Sequence, residues 1–214
     1  MKKITLFILI TLFSLSIRGF SQRFFISGGM GLNYLTMENL NDYLTYNWGF
    51  RNRKDDSHNA IEFSTHFGSL IKKNFLVELG LNYSTNSFQN ENIDFYQFEY
   101  TIYYPEIIFS YVHNYVLSGI QFGIGYTYYF VNVSETRPTT TLQLKSNSKG
   151  QGISIKSVFF APVEEKLFVE LAGQLRWAFF KDIESEYFVI REKETKLNLS
   201  YNSIGLKLGI RYYL

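Results

Sequence analysis

Ser64 and His66 are separated by one residue in the segment 59–71, and the carboxylates of Glu62 and Glu78 lie nearby in the sequence. A serine, a histidine and a carboxylate serve as nucleophile, base and orienting group in many hydrolases. The spacing permits a contact between Ser64 and His66 on a strand, because alternate side chains lie on one face. Both residue types are common at polar positions, so the pattern favours a polar histidine over a catalytic one.

Charged residues recur at alternate positions of otherwise apolar segments. Four acidic and four basic residues share such positions and, with His66, form the predicted polar network: Glu62, His66, Glu78, Glu99, Lys156, Glu170, Arg176, Lys207 and Arg211. Buried charges must be paired and hydrogen-bonded. Equal numbers of each sign therefore predict structural ion pairs, with Arg211 paired to Glu170 and Glu78 as its alternative partner. The other interpretation is a path for protons or ions.

Composition excludes several other kinds of site. The chain has no cysteine, which excludes disulfides and thiolate metal sites. His58 and His113 fall at the ends of different predicted strands, so neither a metal site nor a cofactor is predicted. The 21 basic residues nearly balance the 19 acidic ones, which gives no indication of nucleic-acid binding.

The first 21 residues have the pattern of an export signal. Lys2 and Lys3 precede an apolar run over 4–17, and small residues follow before position 22. The pattern predicts a cleaved signal peptide over 1–21 and one domain over 22–214. An uncleaved anchor is the alternative, although the run is shorter than the about 20 apolar residues that span a bilayer.

Eight segments alternate apolar and polar residues with the period of a strand. They cover 23–35, 59–71, 75–88, 96–112, 116–131, 152–161, 167–180 and about 197 to 214. Aromatic residues make up 19% of the chain, far above ordinary globular usage. An exported chain with this alternation predicts an all-β fold, an eight-stranded antiparallel up-and-down transmembrane β-barrel.

The fourth segment, 96–112, is the least regular of the eight. Its first half assigns Phe98 and Tyr100 to the lipid face and Glu99 to the interior. The alternation then breaks at Pro105 and Glu106. Because proline cannot donate a hydrogen bond to a neighbouring strand, a β-bulge is predicted there.

The connections between the segments alternate in length. Those over 72–74, 113–115 and 162–166 are short, whereas those over 36–58, 89–95, 132–151 and 181–196 are mostly longer and more polar. All the longer connections therefore fall at one end of the barrel, as in outer-membrane barrels with long extracellular loops. In the first of them, Met37, Leu40, Tyr43 and Leu44 form a helical stripe, which predicts a short helix in the first extracellular loop with Thr36 as its N-cap.

The final ten residues, GLKLGIRYYL, end within a predicted strand. Leu206, Leu208 and Ile210 lie on one face, and Lys207 and Arg211 on the other. A barrel must pair its last strand with its first, because an open edge cannot face lipid. Aromatic rings are predicted at two depths of the outer face, at Tyr34, Tyr83, Tyr128, Phe130, Trp177 and Phe179 and at Phe24, Phe75, Phe109 and Tyr212.

Four stretches carry a resemblance to a known family. They are Ser21-Gln22 at the end of the predicted signal, SGGMGLNY (27–34), YYPEIIFSY (103–111) and GLKLGIRYYL (205–214). With them the chain resembles the eight-stranded outer-membrane β-barrel domains of Bacteroidetes type, including OmpX-like, OmpA-like and PorT-like barrels. The last stretch also resembles the C-terminal signal that such proteins present to the outer-membrane insertion machinery. The resemblance implies an integral outer-membrane protein and identifies no activity.

Two classes of function remain open at this point. The first is a non-enzymatic barrel with a charge-plugged lumen, which serves as a membrane anchor or as an interaction or secretion-associated component through its extracellular loops. Its expected partners are outer-membrane lipid and lipopolysaccharide, the insertion machinery and a protein at the loops. The second is a small-molecule channel or a lipid-modifying barrel enzyme. The balanced lumen charges favour the first class.

Overall fold

The computed structural model describes residues 24–49, 58–72, 74–90, 96–114, 118–137 and 140–214, so the predicted signal peptide lies outside the described residues. Within these ranges the chain forms ten strands and one helix. They are β1 (Phe24–Thr36), α1 (Glu38–Trp48), β2 (Asn59–Lys72), β3 (Phe75–Asn90), β4 (Tyr96–Asn114), β5 (Gly119–Arg137), β6 (Thr140–Pro162), β7 (Leu167–Phe180), β8 (Val189–Ile190), β9 (Thr195–Lys196) and β10 (Tyr201–Tyr213).

Eight of these strands close into an antiparallel barrel, in the order β1-β10-β7-β6-β5-β4-β3-β2. The last strand pairs with the first, from Phe25 opposite Tyr213 to Thr36 opposite Asn202. The predicted fold class and closure are therefore confirmed. The two remaining strands, β8 and β9, form a small hairpin between β7 and β10. Among the described residues, no helix is long and apolar enough to cross a membrane.

Side chains alternate between the barrel interior and its outer surface along every barrel strand. On β10, Leu206 and Leu208 are exposed on the outer face, whereas Lys207 and Arg211 are buried inside. The ten aromatic residues predicted for the two lipid-facing rings all lie on outward positions. The outer surface is thus apolar and aromatic, and polar side chains are directed inward.

The fourth strand corrects two predictions. Phe98 and Tyr100 are buried inside the barrel, and Glu99 lies on the outer face. No bulge forms at Pro105, because the register with β5 is the same on both sides of it and the register with β3 is continuous. The first half of the strand places apolar residues inside, as in a water-soluble protein. The second half of β4 lies where the outer surface of the barrel is apolar. Phe109 faces outward there without any bulge.

Three of the barrel strands extend furthest beyond the length that a membrane requires. β4 and β5 have 19 residues each and β6 has 23, whereas a transmembrane strand needs about 9–11. The segment 132–151, predicted as a loop, therefore lies mostly in β5 and β6 and extends the sheet beyond the apolar surface. The sequence pattern did not reveal these strand segments, because their outward residues are polar and lie beyond the apolar surface.

The helix α1 confirms the prediction for the first long connection. Met37, Leu40, Tyr43 and Leu44 are buried along one face of it. The predicted N-cap is wrong, since Thr36 belongs to β1 and Met37 precedes the helix without a side-chain cap. At the other end Gly49 adopts the left-handed conformation, with φ of 68°, that glycine takes most readily.

Candidate functional site

The barrel interior contains a first charge cluster around Glu62, towards the end with the long connections. The guanidinium of Arg176 donates to both carboxylate oxygens of Glu62, at 2.6 and 2.8 Å. The ammonium of Lys207 lies 2.5 Å from Oε1 of Glu62, and the amide of Asn33 also donates to this carboxylate. One acid therefore compensates two cations in the Glu62 cluster.

A second cluster around Glu78 lies towards the short-turn end. Lys156 donates to Glu78 at 3.0 Å. The side-chain amide of Gln121 donates to Glu78, and its carbonyl oxygen accepts from Arg211 at 2.8 Å. Arg211 forms an ion pair with Glu170, so the predicted Arg211–Glu170 pairing is confirmed and Glu78 is linked to it through Gln121.

His66 connects the two clusters at mid-depth. Its Nδ1 lies 3.7 Å from Glu78 and its Nε2 lies 3.8 Å from Glu106. Glu106 in turn accepts hydrogen bonds from Asn82 at 2.9 Å and from Gln174 at 3.4 Å. Gln174 also accepts a hydrogen bond from Arg176 of the Glu62 cluster at 2.6 Å. Polar side chains therefore form a nearly continuous series from the Glu62 cluster to the Glu78 cluster.

The structure brings together eight of the nine residues proposed for the network. Glu99 is the exception, because it lies on the outer face, where Gln97 donates to it. Glu106 takes its place in the network, which therefore still holds four carboxylates and four cations, while a further buried acid, Glu135, lies outside this network. Sequence reasoning missed Glu106, Gln121 and Asn33 as members of the network, although the second half of β4 read by itself, with Phe109 outward, would have placed Glu106 inside.

The predicted hydrolase arrangement does not form at Ser64. The hydroxyl of Ser64 donates to the backbone carbonyl of Gly29 at 3.4 Å. The ring nitrogens of His66 are directed at Glu78 and Glu106. Ser64 thus lacks a general base, and the catalytic interpretation of these residues has no support from the geometry. No group of three or more acidic or histidine side chains within the described part of the chain is arranged to hold a metal ion.

Apolar layers close the lumen on both sides of the charges. At the short-turn end, Phe25 and Phe160 lie against Arg211, with ring centroids 4.0 and 4.8 Å from its guanidinium carbon. Leu76 and Val112 complete this layer. At the opposite end, Tyr104 covers Arg176 at 4.8 Å, and behind it lies a layer of buried aromatic side chains formed by Tyr129, Phe180 and Tyr201.

A third polar cluster, the cap cluster, fixes α1 over the barrel mouth. The carboxylate of Glu135 accepts hydrogen bonds from Tyr43 and Tyr96, both at 2.8 Å. Arg137 pairs with the same carboxylate at 2.7 Å and lies 5.4 Å from the ring centre of Trp48. Burial and the neighbouring carboxylate of Glu135 raise the pKa of Tyr43. Sequence analysis missed this cluster because it assigned 132–151 to a loop.

The helix is also tied to the β8–β9 hairpin. Asn47 donates to the carbonyl of Val189 at 2.7 Å and accepts from the backbone N–H of Arg191 at 3.0 Å. Asp42 and Lys193 form an exposed ion pair at 2.5 Å. The helix and the hairpin, together called the cap here, therefore form one ordered surface at the long-connection end.

Comparison with known proteins shows the fold. No family model and no curated protein matches the sequence. The crystal structure of Ail, the attachment invasion locus protein of Yersinia pestis, is similar with a TM-score of 0.55 and 8% identity, over 91% of this chain and 100% of that chain. A major outer membrane protein from Thermus thermophilus is similar with a TM-score of 0.52 and 13% identity, over 91% and 100% of the two chains.

The chain has the fold of an outer-membrane β-barrel. Its structural neighbours are outer-membrane proteins, which agrees with the apolar outer face. The predicted sorting of connection lengths is only partly confirmed, because two residues separate β5 from β6 at the end where longer connections were predicted. At these identities the likeness extends to the fold alone.

Proposed function

We propose that this protein is an integral outer-membrane barrel with a sealed lumen, which acts as a membrane anchor or secretion-associated component and contacts partners through its cap. The observation that carries the proposal is the combination of a lipid-compatible outer surface with an interior closed by paired charges and aromatic layers. The proposal also covers three further points. The protein belongs to the Bacteroidetes-type barrel family that its sequence resembles, it is exported by its N-terminal signal, and it is inserted by the outer-membrane insertion machinery.

The outer surface supports membrane insertion. Leu32, Leu81 and Ile124, on three different strands, are 67%, 69% and 66% exposed. Soluble monomers rarely expose contiguous apolar patches of more than a few hundred Å², whereas this surface is apolar around the whole barrel. Such a surface is suited to contact with the hydrocarbon core of a bilayer. The short turns then face the periplasm and the cap faces the exterior.

The interior favours a plugged lumen rather than an open channel. An eight-stranded barrel is only wide enough for side chains to fill. Here the Glu62 and Glu78 clusters occupy the middle, and Phe25 and Phe160 close one end. A permeating solute would have to break these buried ion pairs. A small-molecule channel is therefore disfavoured, and the absence of a base beside Ser64 gives no support to a lipid-modifying enzyme.

The cap supports an interaction role. Its helix is held by the cap cluster from below and by the β8–β9 hairpin from the side. A surface ordered by a buried carboxylate and two tyrosines loses little conformational entropy when a partner binds. We therefore expect the protein partner to contact α1 and the hairpin.

A liposome-swelling assay tests this proposal. The folded state is first verified by a heat-dependent shift on gels and by extraction with detergent only. Vesicles containing the protein should then swell no faster in small sugars than empty vesicles do. Swelling at the rate of a porin would contradict the sealed lumen, and recovery of the protein from the periplasm without detergent would contradict the membrane location.

A further inference from the structure

Three lysines meet on the outer face of the barrel just below the cap. Lys145 and Lys149 are exposed on outward positions of β6, and Lys181 follows the end of β7. The backbone N–H of Lys181 donates to the carbonyl of Lys149 at 3.0 Å, so these two residues are cross-strand neighbours. We call the three residues the lysine patch.

The lysine patch is only partly compensated, because its cleft is lined by three lysines and two acidic residues among the described residues. None of the three ammonium groups forms an ion pair with a described carboxylate, although Asp182 and Glu184 line the same cleft. The carboxylate of Asp182 accepts a hydrogen bond from Asn198 at 2.9 Å instead. Like charges directly opposite each other on neighbouring strands are destabilising. The arrangement therefore favours binding of an anion between Lys149 and Lys181.

The patch lies where the apolar outer surface ends. Along β6 the outward residues change from isoleucine at 153 to Gln151 and then to Lys149. Along β7 Phe179 is the outward residue two positions before Lys181, and Phe130 of β5 is paired with Lys149. The ammonium of Lys149 lies 6.0 Å from the ring centre of Phe130. The lysines thus lie at the edge of the apolar outer surface, beside its outermost aromatic rings.

A cleft joins these two environments. It has a volume of about 750 Å³ and is lined by the three lysines, by Gln151 and Ser148, and by the aromatic rings of Tyr128 and Phe179. Cations suit phosphate groups, hydroxyls and amides suit sugars, and aromatic rings suit acyl chains. An ordinary soluble anion would not use the aromatic part of this surface.

We propose that the lysine patch binds the phosphate-bearing headgroup of an outer-leaflet glycolipid, whose acyl chains extend along Phe130 and Phe179. This inference rests on the proposed membrane location and adds a specific lipid site to it. Lys149 and Lys181 hold one phosphate between them, and Lys145 extends the site away from the membrane.

Lipid binding to the purified full-length mature protein in detergent tests the site. The probes are diphosphoryl lipid A and the same lipid without its phosphates, and bound lipid is measured by native mass spectrometry. The test variants are Lys149→Gln/Lys181→Gln and the single Lys181→Gln. Lys72→Gln is the matched control, because Lys72 is an exposed lysine at the opposite end of the barrel. Every variant is first checked for the heat-dependent gel shift.

Diphosphoryl lipid A should bind on the order of tenfold or more weakly to the double variant, and about as tightly to Lys72→Gln as to the wild type. The dephosphorylated lipid should bind weakly to all of them. Equal binding of diphosphoryl lipid A to wild type and double variant, equal binding of the two lipids, or full displacement by millimolar inorganic phosphate would overturn the proposal. A normal heat shift with any of these results leaves the membrane location intact, whereas a lost shift in the wild type counts against that location.

Discussion

Arg211 shows how a buried charge is held in this barrel. It forms an ion pair with Glu170, donates to Gln121 at 2.8 Å and lies between the rings of Phe25 and Phe160. Arginine suits this position because its planar guanidinium forms hydrogen bonds at its edge and stacks on aromatic faces. A cation without these partners would face a large desolvation cost.

The loss of stability on removal of Arg211 should therefore depend on whether Glu170 is present. Arg211→Ala should lower the free energy of unfolding by about 3–5 kcal/mol, because Glu170 is left uncompensated. In a Glu170→Gln background the same substitution should cost less. Urea unfolding in lipid vesicles measures both, with the exposed Arg191→Ala as control. Equal losses in the two backgrounds would rule out the pairing.

Interior glycines make room for the aromatic layer at the short-turn end. A β-carbon at Gly68 would collide with the ring of Phe25. Gly68→Ala should thus cost about 1–3 kcal/mol, as overpacking does in other cores. Gly173→Ala is the matched control, because its β-carbon would point outward, 4.0 Å from Leu206, and should change stability by less than about 0.5 kcal/mol. A Gly68→Ala variant as stable as Gly173→Ala would contradict the packing at Phe25.

At the level of elements, the polar contacts that hold α1 belong to the cap cluster and the hairpin, so the cap should open without the barrel. Tyr43→Phe removes a hydrogen bond to Glu135 and one from Arg137. Hydrogen bonds to charged groups contribute about 1.5–3 kcal/mol, so amide exchange in α1 should speed up on the order of ten- to hundredfold. Barrel strands should exchange as before. Tyr46→Phe, at an exposed position of the same helix, should leave exchange unchanged, and unchanged exchange in Tyr43→Phe would show that the cap cluster does not hold the helix.

Whether a strand segment was predicted correctly depends on whether its outer side faces lipid or water. Alternation located all eight barrel strands, and β7 matches its predicted bounds. The rule that apolar residues face outward holds where the outer surface is apolar. It inverts in the parts of β4 and β5 beyond that surface, where Tyr100 and Val133 are buried and Glu99 and Asn132 lie outward. The change at Pro105 was thus a change of environment, which the sequence could not distinguish from a bulge.

The candidate site was predictable in kind and only partly in detail. Three of the four acids and all four cations of the interior network followed from residues that interrupt apolar segments at alternate positions, whereas Glu99 was assigned inside in place of Glu106. Which atoms pair did not follow, since the register between strands and the stagger around the barrel decide it. Gln121 illustrates the limit, because a neutral residue gives no charge signal and yet links Glu78 to Arg211.

At the scale of the whole molecule, the central claim is that β10 and its neighbours face lipid. The chain has no native cysteine, so single cysteines at outward positions can carry a spin label without competing sites. The decisive measurement is the accessibility of labels at Ile204, Leu206, Leu208 and Ile210 in reconstituted vesicles to oxygen, which concentrates in lipid, and to a water-soluble nickel chelate. Accessibility to oxygen should be high and accessibility to the nickel chelate low at all four positions, with the contrast greatest at Leu206 and Leu208. Labels at these positions that respond to the nickel chelate as strongly as one on the exposed cap residue Lys196 would contradict it.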